Sequence, residues 1–255
     1  MPRTSVPALK EHIPKKHTKS KLLWLLILLF AVLLAVLFFR SSLSKISEIT
    51  FHGSTYATNA ELLKQSGLHT GDSFFGTSAD TIRKRLVSLP AVENVKVDKR
   101  FPGTIEVTVE EYPSVAYELS SSGELQAYLS NGKSVVVKKA ISIEKPMLSG
   151  WKKDDIVLMK LCSALSKLPD ELTSDFSEIA PSPSASFPDR IKIYTRSGFE
   201  VVTSVSLLPE KAEYLNGIVG TQEPGVITML EADTYEPFQP SALEDEEGEK
   251  ETTHD

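Results

Sequence analysis

The sequence predicts an α+β protein: a single transmembrane helix, then an exported β-α-α-β-β domain and a mixed, β-rich second domain. Three observations carry this reading. Leu22 to Phe39 are consecutive apolar residues with no polar group among them. Two short amphipathic helical patterns then precede a sharply alternating hairpin. After Pro113 the chain is dominated by short strand patterns divided by Gly-containing turns.

The apolar run rises about 27 Å as a helix, close to the thickness of a bilayer's hydrocarbon core. Arg3, Lys10, Lys15, Lys16, Lys19 and Lys21 precede it against one acid, Glu11; the segment just after it offers only Arg40 and Lys45. The positive-inside bias keeps residues 1–21 in the cytoplasm as a basic tail that also contacts anionic lipid, and exports everything after Arg40. A cleaved signal peptide would have a shorter apolar region and a small-x-small cleavage site, which Leu37-Phe38-Phe39-Arg40 does not supply.

In the exported part, Ile46 to Phe51 reads as a strand. Thr58-Asn59-Ala60-Glu61 is a capping box that opens a short helix, with Gly67 placed to end it. Thr77 or Ser78 caps a second helix, whose Ile82, Leu86 and Leu89 form one stripe before Pro90. Arg83, Lys84 and Arg85 lie off that stripe and read as a solvated face. Val95 and Val97 alternate with Lys96, Asp98 and Arg100. Phe101-Pro102-Gly103 is a turn, with Pro102 suited to its second position. Ile105, Val107 and Val109 then alternate with Glu106, Thr108 and Glu110. The outer face of this hairpin is expected to set basic residues against acids. The unit runs from 45 to 113.

From 114 to 236 the pattern is β-rich. Val115 to Leu119, Leu125 to Ser130 and Lys133 to Lys138 read as strands, the last two joined by Asn131-Gly132. Ile156 to Leu168 reads as an amphipathic helix ended by Pro169. Pro181 to Pro188 reads as a loop. Ile191 to Thr195 and Phe199 to Thr203 form a hairpin, a helix follows from Pro209 to Ile218, and Val226 to Glu231 is the last strand. Residues 237–255 are expected to be a disordered acidic tail.

The formal net charge is −6, unevenly placed: residues 1–21 carry +5 and the rest of the chain −11. An acidic exported region excludes a nucleic-acid partner of the usual basic-footprint kind. One cysteine, Cys162, excludes an internal disulfide. No Walker A, G-x-G-x-x-G or G-x-S-x-G pattern occurs. His52 and His69 have no cysteine or second histidine at ligand spacing, so neither a metal nor a cofactor is expected. Glu110 and Glu111 are adjacent on a strand and point to opposite faces, unlike a catalytic carboxylate pair. Cys162 lies on the apolar side of a helix, beside Leu161. The rival functional reading is a membrane-anchored envelope enzyme of sortase type that uses Cys162 as nucleophile; a translocation factor is a third.

The run from Val95 through Arg100, Phe101-Pro102-Gly103 and on to Glu110-Glu111-Tyr112-Pro113, set behind a basic tail and one span, resembles the POTRA domain of the FtsQ/DivIB family of bacterial division proteins. Pro146-Met147-Leu148-Ser149-Gly150, the hairpin at Gly198, the helix with Lys211 and the terminal strand are similar to the β domain that follows it. The compact length and charged tail look like the Gram-positive branch, DivIB. This resemblance implies a non-enzymatic divisome scaffold that binds no small-molecule substrate. It implies partners of DivIC/FtsB and FtsL type and, directly or through them, the septal penicillin-binding protein, with the chain concentrated at the division septum. It also implies that a partner adds a strand at the end of the β domain. The expected partner-binding residues are Val226, Ile227, Thr228, Met229, Leu230 and Tyr235, on the expectation that the last strand leaves one edge open.

Overall fold

The computed structural model describes residues 18–138, 142–152 and 155–238. The basic tail expected over 1–21 lies mostly outside them, as does the acidic tail expected over 237–255, apart from Pro237 and Phe238. Helix α1 spans Thr18–Arg40. Its Lys21–Arg40 portion is long and apolar enough to cross a membrane.

The first sheet has the order β1-β3-β2, with β1 at Glu48–His52, β2 at Val92–Arg100 and β3 at Thr104–Glu111. Strand β3 is central, parallel to β1 and antiparallel to β2. Helices α2 (Asn59–Ser66) and α3 (Ala79–Leu86) supply Leu62, Ile82 and Leu86 to a core with Val95, Ile105, Val107 and Val109. Both arms of the Thr58/Glu61 capping box form, and Gly67 closes α2 in the left-handed region at φ 67°. Ile46 precedes β1 instead of starting it. It is buried, and its backbone bonds Asp72 and Gly71 in the neighbouring loop.

Three expectations for this unit are corrected. The Phe101–Pro102 peptide is cis, so Pro102 does not occupy the trans turn position the dipeptide suggests. On the hairpin's outer face Asp98 stands directly opposite Glu106, like against like. Arg100 offsets this by pairing with Glu106 at 2.7 Å, and Lys96 by pairing with Asp98 at 3.2 Å. Arg83 and Arg85 are not merely solvated. Arg83 Nε donates to the Val95 carbonyl (3.1 Å) and Arg85 Nη1 to that of Ser66 (2.9 Å), tying α3 to β2 and to α2.

The second sheet has nine strands, in the order β12-β11-β10-β9-β8-β7-β4-β5-β6. Strands β4 (Ser114–Leu119), β5 (Leu125–Leu129) and β6 (Ser134–Val136) form an antiparallel meander at one end. The two-residue strand β7 (Met147–Leu148) runs parallel to both β4 and β8 (Phe176–Pro181). Strands β9 (Arg190–Thr195) and β10 (Glu200–Ser204) form the expected hairpin. Helix α4 (Ile156–Leu165) ends at Leu165, three residues before the expected boundary. A short helix α5 (Asp170–Asp175) and strand β8 occupy a stretch that the sequence pattern leaves unassigned. Helix α6 spans Leu208–Val219. The core joins Leu158, Leu161 and Leu165 of α4 and Leu208 and Leu215 of α6 to Phe176, Ile179, Ile193 and Val201 of the sheet.

The two units touch. Lys138 pairs with Glu61 at 2.5 Å, and Asn131 Nδ2 donates to the Pro90 carbonyl at 3.1 Å. Glu111, at the end of β3, accepts from Ser54 Oγ (2.7 Å) and from the amides of Thr55 and Tyr56, which fixes the loop after β1.

Candidate partner edge

The end of the nine-stranded sheet is built by a crossover. Strand β10 leads through α6 into β11 (Gly225–Met229), which lies parallel to β10. Buried and half-exposed residues alternate along β11, with Gly225, Ile227 and Met229 inward and Val226 and Thr228 outward. Thr203 Oγ1 donates to the Met229 carbonyl at 2.8 Å, anchoring the strand's end.

Strand β11 is not the open edge that its place in the sequence suggests. A further strand, β12 (Asp233–Pro237), pairs with it antiparallel, so β11 has neighbours on both sides. Of the expected partner-binding residues, Val226, Ile227, Thr228 and Met229 therefore have their backbone ladders filled. Ile227 and Met229 are fully buried as well. Leu230 lies just past β11, half-buried. Only Tyr235 stands on the edge strand. The signal for β12 is faint, because Asp233-Thr234-Tyr235-Glu236-Pro237 carries a single apolar side chain.

Tyr235 explains why so polar a segment pairs at all. Its ring packs beside Phe199 with centroids 6.5 Å apart, and its hydroxyl donates to the Glu223 carbonyl at 2.7 Å. Asp233 receives Lys211 of α6 at 2.6 Å. A Cβ on Gly225 would run into the Glu236 carbonyl, so the absence of a side chain there lets β12 close on β11.

The ladder's phase follows from one bond. The Phe238 amide donates to the Pro224 carbonyl at 3.2 Å, so Phe238 points inward. Alternation along an antiparallel pair then turns Glu236 and Thr234 inward, and Asp233, Tyr235 and Pro237 outward. Pro237 has no N–H. The edge thus offers two donors, at Asp233 and Tyr235, and three carbonyls. Phe238, half-exposed, sits at its end.

The description "POTRA domain, FtsQ-type" matches residues 44–112, which hold the first sheet and its two helices. Over 254 residues the chain is 53% identical to the cell division protein DivIB of Paenibacillus polymyxa, covering 99% of this chain and 100% of that one. The chain belongs to the DivIB family of cell division proteins. A DivIB from Bacillus anthracis is 31% identical over 90% of this chain and 88% of its own length. A solved extracytoplasmic domain of DivIB from Geobacillus stearothermophilus aligns with 44% of the chain and 93% of its own length, at 26% identity and a TM-score of 0.38.

Against this DivIB membership, the residues considered for catalysis have structural settings. Cys162 is fully buried within α4, and burial pushes its thiol up to about 12, the opposite of an activated nucleophile. His69 lies 3.5 Å from Asp72 on the surface, and His52 ends β1. Among the described residues no three His, Cys, Asp or Glu side chains gather where they could hold a metal ion.

Proposed function

We propose that the chain is a non-enzymatic divisome scaffold that joins bitopic division proteins of DivIC/FtsB and FtsL type at the septum, and through them the septal penicillin-binding protein. Its N-terminus lies in the cytoplasm, and everything after Arg40 is exported. Residues 45–113 and 114–236 are its two folding units, each with its own apolar core. The observation that carries the reading is the row of backbone groups on β12 that no strand among the described residues fills, at the end of the sheet of a DivIB-family chain. A partner strand adds there, its amides and carbonyls meeting those of Asp233 and Tyr235.

The site is moved one strand from the sequence-based expectation, and the test moves with it. Tyr235→Pro and Tyr235→Ala both lose the ring, but only the proline loses the outward N–H. Proline is tolerated on an edge whose N–H faces solvent, so the two variants should melt alike. Binding to a purified DivIC-type extracytoplasmic region should fall about 5- to 10-fold further for the proline, one hydrogen bond's net worth. Equal binding at wild-type strength by two equally folded variants refutes the edge. A fluorescent fusion should form a mid-cell band in dividing cells, and a uniform membrane signal would refute the septal role.

A further inference from the structure

A run of phenylalanine rings crosses the junction between α1 and the first sheet. Phe38 and Phe39 lie in the last turn of the apolar helix. The Phe75 ring sits 5.9 Å from Phe38 and 6.1 Å from Phe39, and the Phe101 ring sits 6.2 Å from Phe75. Phe74 joins both, at 5.3 and 6.4 Å, and is the one ring of the set that belongs to the buried core. Phe39, Leu43, Phe75 and Phe101 are each at least half exposed, from 50 to 60%. The three rings come from the helix end, the Gly71–Gly76 loop and the hairpin tip, separate places in the chain that converge on one surface.

The junction holds this arrangement. Ser44 is buried, and its hydroxyl donates to the Phe39 (2.8 Å) and Ser41 (2.9 Å) carbonyls. The Phe74 amide donates to Ser44, and Lys45 bridges to Ser73. On the other side, Lys99 Nζ reaches the carbonyls of Phe74 (2.5 Å) and Thr77 (2.8 Å), pinning the loop to β2. The helix end and the loop that bears Phe75 are therefore cross-tied in two places.

We infer that Phe75 and Phe101 form a membrane-docking face that beds the tip of the first domain in the leaflet where α1 emerges. The occupant is the lipid interface, and continuity with the span decides it. A ring about 6 Å from rings in the last turn of a membrane helix lies at the depth where that turn meets the headgroups. Exposed apolar groups drawn together from separate segments mark an interaction surface, and the bilayer is the apolar medium already present at that level. Arg40 and Lys45, both exposed, flank the patch and suit lipid phosphates.

Nitroxide labels test the inference in the full chain reconstituted in phosphatidylglycerol-containing vesicles. Cys162 is buried and stays unlabelled. Labels go on Phe75→Cys, Phe101→Cys, Leu33→Cys within the span and Leu119→Cys on an exposed hairpin of the second sheet. Labels at 75 and 101 should collide with dissolved oxygen in preference to a water-soluble nickel chelate, with a ratio several-fold above that at 119 and approaching that at 33. Adding Phe75→Asp should return the label at 101 toward the ratio found at 119. Water-like ratios at 75 and 101 with a lipid-like ratio at 33 overturn the docking face and leave the span intact. Protection from both reagents overturns it in favour of a protein partner or a second copy. A water-like ratio at 33 overturns docking and span together.

Discussion

Val107 stands at the centre of the first sheet, fully buried, with Phe51 of β1 and Val97 of β2 as its register partners. Val107→Ala removes two methyl groups, a transfer loss of about 1.6 kcal/mol. A strand hydrogen-bonded on both sides collapses poorly into the gap, so the residual cavity raises the cost to about 2–3 kcal/mol. That is a substantial part of the roughly 5–15 kcal/mol that holds a domain together. Amide exchange in the full chain reads it directly: protection over Thr104–Glu111 should fall roughly 30- to 150-fold, since each 1.4 kcal/mol is tenfold. Val107→Asp adds an unpaired buried charge and should leave the unit unfolded. Thr108, one residue on and half-exposed on the opposite face, should cost under about 1 kcal/mol as Thr108→Asp, particularly with Lys96 opposite. Equal losses of protection from Val107→Ala and Thr108→Asp would refute the assignment of faces.

The Lys138 ammonium, and then the Thr58 amide, hold the Glu61 carboxylate down to about 2. A depressed carboxylate contributes stability above its unfolded value of 4.5 and loses it as pH falls toward 2, so the melting difference between wild type and Glu61→Gln should shrink across that window; a constant difference would refute the linkage. Thr50 Oγ1 is buried with no hydrogen-bond partner among the described residues, and Thr50→Val should stabilise the first unit by about 1 kcal/mol in urea melts. Cys162 should resist alkylation at pH 8 in the native chain and react at once when unfolded, whereas rapid native labelling would contradict its burial.

The first unit was legible because its signals are local and redundant. The capping box, the Gly67 stop and the period-two valines of β2 and β3 each stand within a few residues. The second unit hides its elements in places where those rules lapse. Strand β8 buries Phe176 and Ile179, three residues apart, because its register slips between Phe176 and Glu178, so no alternation shows. Helix α5 is six residues of mostly polar sequence. Strand β12 has one anchoring ring and a terminal proline, which propensity assigns to coil. Its pairing depends on Gly225 and on a hydroxyl reaching Glu223, contacts with no sequence signature. Periodicity chose the last greasy strand, β11, as the sheet's edge, when the edge is the polar strand beyond it.

The nine-stranded sheet is continuous only through β7, whose two residues are its entire width at that point. On one side lies a three-strand meander, on the other a five-strand slab that ends in β12. A load applied at β12 and resisted at the membrane must cross that neck, where very few backbone bonds share it. What reinforces the neck is α4, whose leucines share one apolar core with Leu148 and with both flanks, and which meets β4 on one side and α6 on the other. The domain is thus built like two plates riveted by a single helix. Its resistance to tension along the sheet resides in the apolar seat of α4, and a lesion in that seat would weaken the mechanical link between β12 and the first unit while leaving both unaltered.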